Sequence, residues 1–289
     1  MRCRCAAVLV HHECTAVRCS RRLRLSSPQR ESAGRGQRTS GFYIDTHLHL
    51  EELGDTAEVV ALAAEAGVTR MIAMGVNAEH NRRALEMATA FPAVWAGLGH
   101  YPAEEPDPHL EEIRTLAVSE RVVAIGEVGL DFEHGSVDRA VQMSRLDSLF
   151  GLAVELGLPV SIHNRGAARE VAELITEHPG LRGVMHYFAL GWRDAEVFLG
   201  LGFYLSFAGL ITRPSRGELR DVVKACPADR LLLETDSPYG NAHKRMGGPN
   251  RPAYLLDTAE LVAELRGMTL EELGDLETRN ALALFTRVN

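Results

Sequence analysis

From Phe42 onward, short runs of continuous apolar residues alternate with longer stretches in which apolar positions recur every three or four residues. The first kind reads as strands buried on both faces, the second as amphipathic helices lying against them. Strands are predicted at Phe42–Thr46, Arg70–Met74, Val94–Leu98, Val122–Gly126, Pro159–Ile162, Gly183–Met185, Phe203–Leu205 and Leu231–Glu234. Helices are predicted at Thr56–Ala66, Ala78–Thr89, Leu110–Ser119, Val137–Leu156, Ala167–Glu177, Asp194–Leu199 and Ser215–Ala225. Two more, Ala253–Leu265 and Leu270–Phe285, come after the last strand. Strands without polar alternation, separated by helices, imply a parallel sheet covered on both faces. Eight such units in roughly 250 residues are the count and length of an α/β fold of the (β/α)8 TIM barrel kind. A doubly wound open sheet competes, but it more usually stops at about five to seven strands.

Composition agrees: of 289 residues, 46% are hydrophobic and 24% charged, the values of a globular chain. No apolar run approaches the ~18–20 residues of a bilayer span, so no membrane is expected among its partners. The net charge of −8 divides unevenly. Residues 1–40 carry nine Arg against two Glu, a balance of +7, which leaves 22 basic and 37 acidic side chains, −15, in residues 41–289. An acidic body argues against coating nucleic acid through bulk charge. It permits an enzyme that gathers a few phosphates with local Arg and metal ions.

Residues 1–40 also lack periodicity and hold four of the five Cys. The apolar patch Ala6 to Val10 is too short for a signal-peptide core, and an Arg- and Ser-rich, acid-poor stretch is the composition of a transit peptide. Yet only two Lys, Lys224 and Lys244, accompany 29 Arg in the chain, as GC-rich coding produces. Translation upstream of such a gene gives this kind of text. Residues 1–40 are therefore expected to be a disordered or mis-assigned extension, and 41–289 one barrel domain. Cys3, Cys5, His11, His12 and Cys14 fit no closed zinc-site spacing. The body keeps only Cys226, as a reducing, cytoplasmic setting allows.

The residues at the strand ends are decisive. The first strand leads into Asp45-Thr46-His47-Leu48-His49, the fourth into Glu127, the fifth into His163, the sixth into His186 and the eighth into Glu234-Thr235-Asp236. In a barrel these ends meet at one mouth, where the chemistry of this fold sits. Residues two apart on a strand share a face, so His47 and His49 can grip one ion together. Four His and two carboxylates exceed one tetrahedral site. They suit two divalent ions about 3.5–4 Å apart, bridged by a carboxylate and used for in-line displacement at phosphorus. Glu127 is the natural bridge, with His47, His49, Glu127 and Asp236 around one ion and Glu127, His163 and His186 around the other. A lone His beside a strand is ordinarily a satisfied buried side chain, and Asp236 before Ser237-Pro238 can simply cap a turn. The joint placement outweighs those readings. His80, His109, His134, His178 and His243 read as surface residues, and Glu51, Glu52, Asp131 and Glu133 as solvated loop acids, with Asp131 close enough to Glu127 to touch a ligand.

With these residues in place, the chain from about Tyr43 to its C-terminus resembles the TatD-like metal-dependent deoxyribonucleases. The resemblance is carried by Ile44–His49, by Ala124-Ile125-Gly126-Glu127-Val128-Gly129-Leu130-Asp131, by Leu158–Arg165 and by Leu231–Tyr239, with Asn280-Ala281 and Leu284-Phe285 near the end. It implies a TIM barrel of the metal-dependent hydrolase type, the same six ligand positions and hydrolysis of DNA phosphodiesters. The chain departs from the family pattern at three places. Tyr101 separates His100 from Pro102 where Gly-x-His-Pro is usual, Ala189 and Leu190 replace the Ser-Gly after His186-Tyr187-Phe188, and the later Arg…Asn-x-Pro segment survives loosely as Arg245, Asn250 and Pro252.

The expected reaction is attack by a two-metal-activated water on a phosphodiester at the end of a DNA strand, with Asp236 orienting the water or taking its proton and Glu127 bridging the metals. Mg²⁺ or Mn²⁺ are the expected ions, with Zn²⁺ admissible. Arg165 is the best-placed cation for substrate, with His100, Arg245 and Lys244 as further contacts; Tyr187, Trp192 or Tyr239 would stack on a base. A monomer is expected. One rival is an amidohydrolase acting on a small amide, lactone or phosphoester. Such enzymes often bridge their metals with a modified Lys after the fourth strand, where this chain has Glu127. The other rival is a non-catalytic, metal-stabilised binding protein.

Overall fold

A computed structural model describes residues 42–105 and 108–288; the expectations for residues 1–40 lie outside the described residues. Strands and helices alternate: β1 (Tyr43–Leu48), α1 (Thr56–Glu65), β2 (Val68–Met74), α2 (Ala78–Ala90), β3 (Val94–His100), α3 (Leu110–Leu116), β4 (Val122–Asp131) and α4 (Arg139–Leu156). Then come β5 (Val160–Arg165), α5 (Ala168–Glu177), β6 (Gly183–Met185), α6 (Trp192–Gly200), β7 (Tyr204–Phe207), α7 (Gly217–Ala225), β8 (Leu231–Leu233), α8 (Leu255–Arg266) and α9 (Leu270–Leu284). The eight strands form one sheet in sequence order, and every neighbouring pair is parallel.

The seam between β8 and β1 is drawn together by hydrogen bonds beyond the regular ladder. Asp236 N donates to His47 O at 2.9 Å, His49 N to Ser237 O at 2.7 Å, and the Thr46 hydroxyl to Leu233 O at 2.8 Å. The Asp45 carboxylate accepts from Thr235 N at 2.9 Å and from the Thr235 hydroxyl at 2.5 Å. The barrel is thus nearly closed, and the segment carrying Asp236 is tied to the one carrying His47 and His49.

The core has two parts. The larger fills the space between strands and helices; the smaller lies inside the barrel, where Ile44, Ile72, Trp95, Val123 and Leu232 meet Phe285 just past α9. These residues sit toward the strands' N-terminal ends, so α9 plugs that end and leaves the other as the mouth. Sequence boundaries and structure agree closely, except that β1, β3, β4, β5 and β7 run further at their C-terminal ends than predicted. Glu127 therefore lies inside β4, which continues to pair with β5 as Gly129↔His163 and Asp131↔Arg165. A side chain at Gly129 would strike the His163 carbonyl oxygen, so glycine there permits the strands' close approach. Among the described residues no helix is long and apolar enough to cross a membrane.

Candidate metal centre

At the mouth the six predicted ligands come together. His47 and His49 leave β1 with both Nε2 atoms turned to the same place: they lie 3.6 and 3.5 Å from Glu127 Oε2, and 3.9 and 3.5 Å from Asp236 Oδ1. The other Glu127 oxygen faces His163 Nδ1 at 3.0 Å and His186 Nε2 at 3.2 Å. Glu127 thus sends one oxygen toward each of two groups of side chains. The His47 and His186 rings stack at 3.7 Å. His47, His49, Glu127 and His186 are buried, with Asp236 slightly more open on the cavity wall. Asp236 and Tyr187 carry left-handed backbones, φ 58° and 47°. Such conformations persist only where surroundings hold them. The bond from Asp236 N to His47 O and one at 2.7 Å from Tyr187 N to Glu234 Oε1 do so here.

The remaining imidazole nitrogens explain how the rings are aimed. His47 Nδ1 meets the Ser161 hydroxyl at 2.9 Å, His163 Nε2 meets Asp131 Oδ2 at 3.3 Å, and His186 Nδ1 meets Glu234 Oε1 at 3.0 Å. Such outer partners fix ring orientation and raise the basicity of the opposite nitrogen. Asp131 also accepts from the Tyr101 hydroxyl and from the backbone N–H groups of Glu133 and His134.

The electrostatics favour a cation. Burial alone would strip the proton from His49, yet the Asp236 and Glu127 carboxylates push it up to about 9. Burial opposes charge on His163 and His186 too, and Asp131, Glu127 and Glu234 overcome it. Burial would raise Glu127, but the imidazoles around it hold its carboxyl well below the usual range. His47 falls to about 4 through burial and the charge of His186. His47 Nε2 is buried with no hydrogen-bond partner, although two carboxylate oxygens lie just beyond bonding distance. A donor atom left unpaired among oxygens, in a set of imidazoles and carboxylates, fits divalent metal ions. Candidate cation-holding groups include His47, Glu127 and His186, and His47, His49 and Asp236.

Above the centre opens a cavity of about 980 Å³. Arg165, Tyr187 and Tyr239 line it; His100, Arg245, Lys244 and Trp192 do not. Their exclusion has physical causes. His100 is buried at the end of β3. Arg245 donates to Asp257 at 2.8 Å and stacks on Tyr254, and Lys244 pairs with Asp257 and Glu260. Trp192 begins α6, outside the wall. Two acids expected in solvated loops are buried instead, while Glu52, Glu133 and His134 are exposed as expected and stand at the cavity's rim. Asp131 is buried, and the Glu51 side chain is only 3% exposed, 3.1 Å from His80 Nδ1. His80 and His134 both line the cavity, as do Glu52 and Glu133. The orienting roles of Ser161 and Glu234 escaped the sequence reading. A single Ser in an otherwise apolar strand, Val160–Ile162, was the available signal for the first.

Residues 44–286 match the family model described as TatD related DNase. A metal-dependent hydrolase of Bacillus subtilis, YabD, is 37% identical over 254 residues, covering 85% of this chain and 99% of its own. The Pantoea vagans protein named 3'-5' ssDNA/RNA exonuclease TatD is 37% identical over 242 residues, 80% of this chain and 93% of its own. Among solved structures, the TatD homologue YjjV of Escherichia coli superposes with a TM-score of 0.80 at 31% identity, covering 84% of this chain and 98% of that one.

Proposed function

Because the chain belongs to the TatD related DNase family and is a metal-dependent hydrolase of that family, we propose that it removes nucleotides from the end of single-stranded DNA. The 3'-to-5' direction is proposed from relatives that carry it in their names. The observation that carries the reading is the convergence of four imidazoles and two carboxylates, split by Glu127 into two groups, on the floor of an open cavity. His47, His49, Glu127 and Asp236 would hold one divalent ion, and Glu127, His163 and His186 the other, with Mg²⁺ or Mn²⁺ best matched to phosphate chemistry. The ions would supply Lewis acidity toward phosphoryl oxygens and lower the pKa of the attacking water.

The protein's own groups do the rest. Asp236, slightly exposed and on the cavity wall, would accept the proton of the attacking water. Arg165, on the cavity wall at the end of β5, would offer charge to the phosphate as negative charge grows on it. Tyr187 and Tyr239 present rings on which a base can stack. The free, buried Cys226 suits a reducing compartment such as the cytoplasm.

The test incubates end-labelled single-stranded DNA with the protein and Mg²⁺, Mn²⁺, Zn²⁺ or EDTA, beside Glu127→Ala. Metal-dependent shortening, abolished by EDTA and lowered about 10³-fold or more in the variant, is expected. A folded, metal-loaded protein that cuts no DNA but cleaves small phosphoesters or amides would move the assignment to the amidohydrolase reading. Glu127→Ala that lost stability without any activity to lose would favour a metal-stabilised binding protein.

A further inference from the structure

The charges on the cavity wall are sorted by strand. Wall residues from the β1 to β4 ends include the carboxylates of Glu52, Glu104 and Glu133 and, among the described residues, no Arg or Lys. Those from the β5 to β7 ends include Arg165, Arg213 and Arg216 and, among the described residues, no Asp or Glu. The mouth of an acidic body is thus half cationic and half anionic, with the metal-ligand cluster between the halves.

The two halves ask for different chemistry. Arg213 keeps a buried Nε without an acceptor, and its guanidinium meets the Met246 sulfur at 4.0 Å. A buried donor left unpaired is costly, and a phosphate oxygen would satisfy it. Arg245 and Lys244, by contrast, are already held by Asp257 and do not line the cavity. On the opposite wall Glu52 accepts from the Tyr239 hydroxyl at 2.8 Å and Glu104 from the Asn77 amide at 3.2 Å. These carboxylates take neutral donors, the kind that a sugar hydroxyl and base amino groups provide.

We infer that the divided mouth reads a strand's end: the phosphate chain leaves across the β5–β7 arginines, and the β1–β4 carboxylates receive a terminal nucleoside and repel any phosphate continuing past it. This inference rests on the nuclease reading of the same site and adds what that reading lacks, a reason for the enzyme to act from an end. Like-charge juxtaposition is an effective way to exclude a wrong partner. A strand threading through the mouth, or a terminus capped by phosphate, places just such a charge against Glu52, Glu104 and Glu133.

Three single-stranded DNAs of one sequence, given to the full chain with Mn²⁺, test it: linear with a 3'-hydroxyl, linear with a 3'-phosphate, and covalently closed. The closed circle is expected to resist. The 3'-phosphate is expected to lower kcat/KM about tenfold or more. In Glu104→Gln/Glu133→Gln that penalty is expected to shrink to about threefold or less, because the repelling charges are gone. Arg213→Ala is expected to raise KM about tenfold while changing kcat far less, as loss of a phosphate contact remote from the bond being cut requires. Circle cleavage at the linear rate, or a phosphate penalty unchanged in the double variant, overturns the inference while leaving the nuclease reading intact. Hydrolysis of none of the three overturns the nuclease reading itself, and the end-reading mouth falls with it.

Discussion

Every histidine at the centre has two nitrogens to place, and three of the four spend the second on a partner that the apolar pattern could not reveal. Glu234 illustrates the point. It sits one residue past β8, is fully buried, and joins His186 Nδ1 to Tyr187 N through one oxygen. Glu234→Gln keeps the shape and an acceptor for Tyr187 but removes the charge behind the imidazole. We expect divalent-metal affinity to fall about 10–100-fold, read by calorimetric titration, with the circular dichroism spectrum unchanged. Unaltered affinity would reduce Glu234 to a packing residue. Ser161 is the neutral counterpart. Ser161→Ala leaves His47 Nδ1 buried without its acceptor or donor, and should cost about 1–3 kcal/mol in urea unfolding. An unchanged midpoint would show that His47 finds another partner. The six positions that converge at the mouth were legible because ligand types gathered at strand ends. Their orienting partners were not, because one Ser in a strand, or one Glu beside an Asp, has no pattern of its own.

Elements were read well from periodicity because continuous apolar strands and amphipathic helices alternate with little interruption. Strand ends were read less well for a physical reason: at a barrel mouth the polar residues that end an apolar run still pair in the sheet, so β4 reaches Asp131 through Glu127. At the opposite end α9 makes the polar contact that its apolar face conceals. Its Glu277 is fully buried and accepts from Ile44 N at 3.1 Å, which pins the helix to the start of β1. Burial, aided by the charge of Asp45 and opposed by the Ile44 N–H, pushes the Glu277 carboxyl well above its ordinary range. The folded protein therefore holds a proton that the unfolded chain releases once pH passes that ordinary range. Stability should be greatest near or below the ordinary value and fall as pH rises toward the higher folded value. Glu277→Gln keeps an acceptor for Ile44 and cannot ionise. Its melting temperature should drop less than the wild type's between about pH 5 and 8, each kcal/mol recovered appearing as about 2–4 °C in a domain of this size. Parallel pH profiles for the two proteins would mean that Glu277 does not titrate in that range.

At the scale of the whole molecule, the charge census and the cavity wall pull in opposite directions. Residues 41–289 carry −15, so the body as a whole repels a nucleic acid, while three arginines on one side of the mouth attract it. Composition alone showed that the protein is no basic nucleic-acid-coating one; it could not show that the few cations gather on one wall, since Arg165 at the end of β5 reaches the same cavity as Arg213 and Arg216 from the segment before α7, about fifty residues later in the chain. The balance has a measurable form. Binding of single strands releases counterions in proportion to the phosphates neutralised, about 0.7 per contact, so three arginines limit the slope of log kcat/KM against log salt to about −2. Repulsion from the acidic body acts over longer distances and is the first to be screened, within a Debye length of about 8–10 Å near physiological salt. Added salt therefore relieves repulsion while it weakens the arginine contacts, and the net slope between about 50 and 200 mM should be shallower still. Arg213→Ala should flatten it by a further ~0.7, the share of one contact. A steep slope, of about −5 or beyond, would require a long basic track that residues 42–105 and 108–288 do not line the cavity with, and would move the strand's path away from this wall.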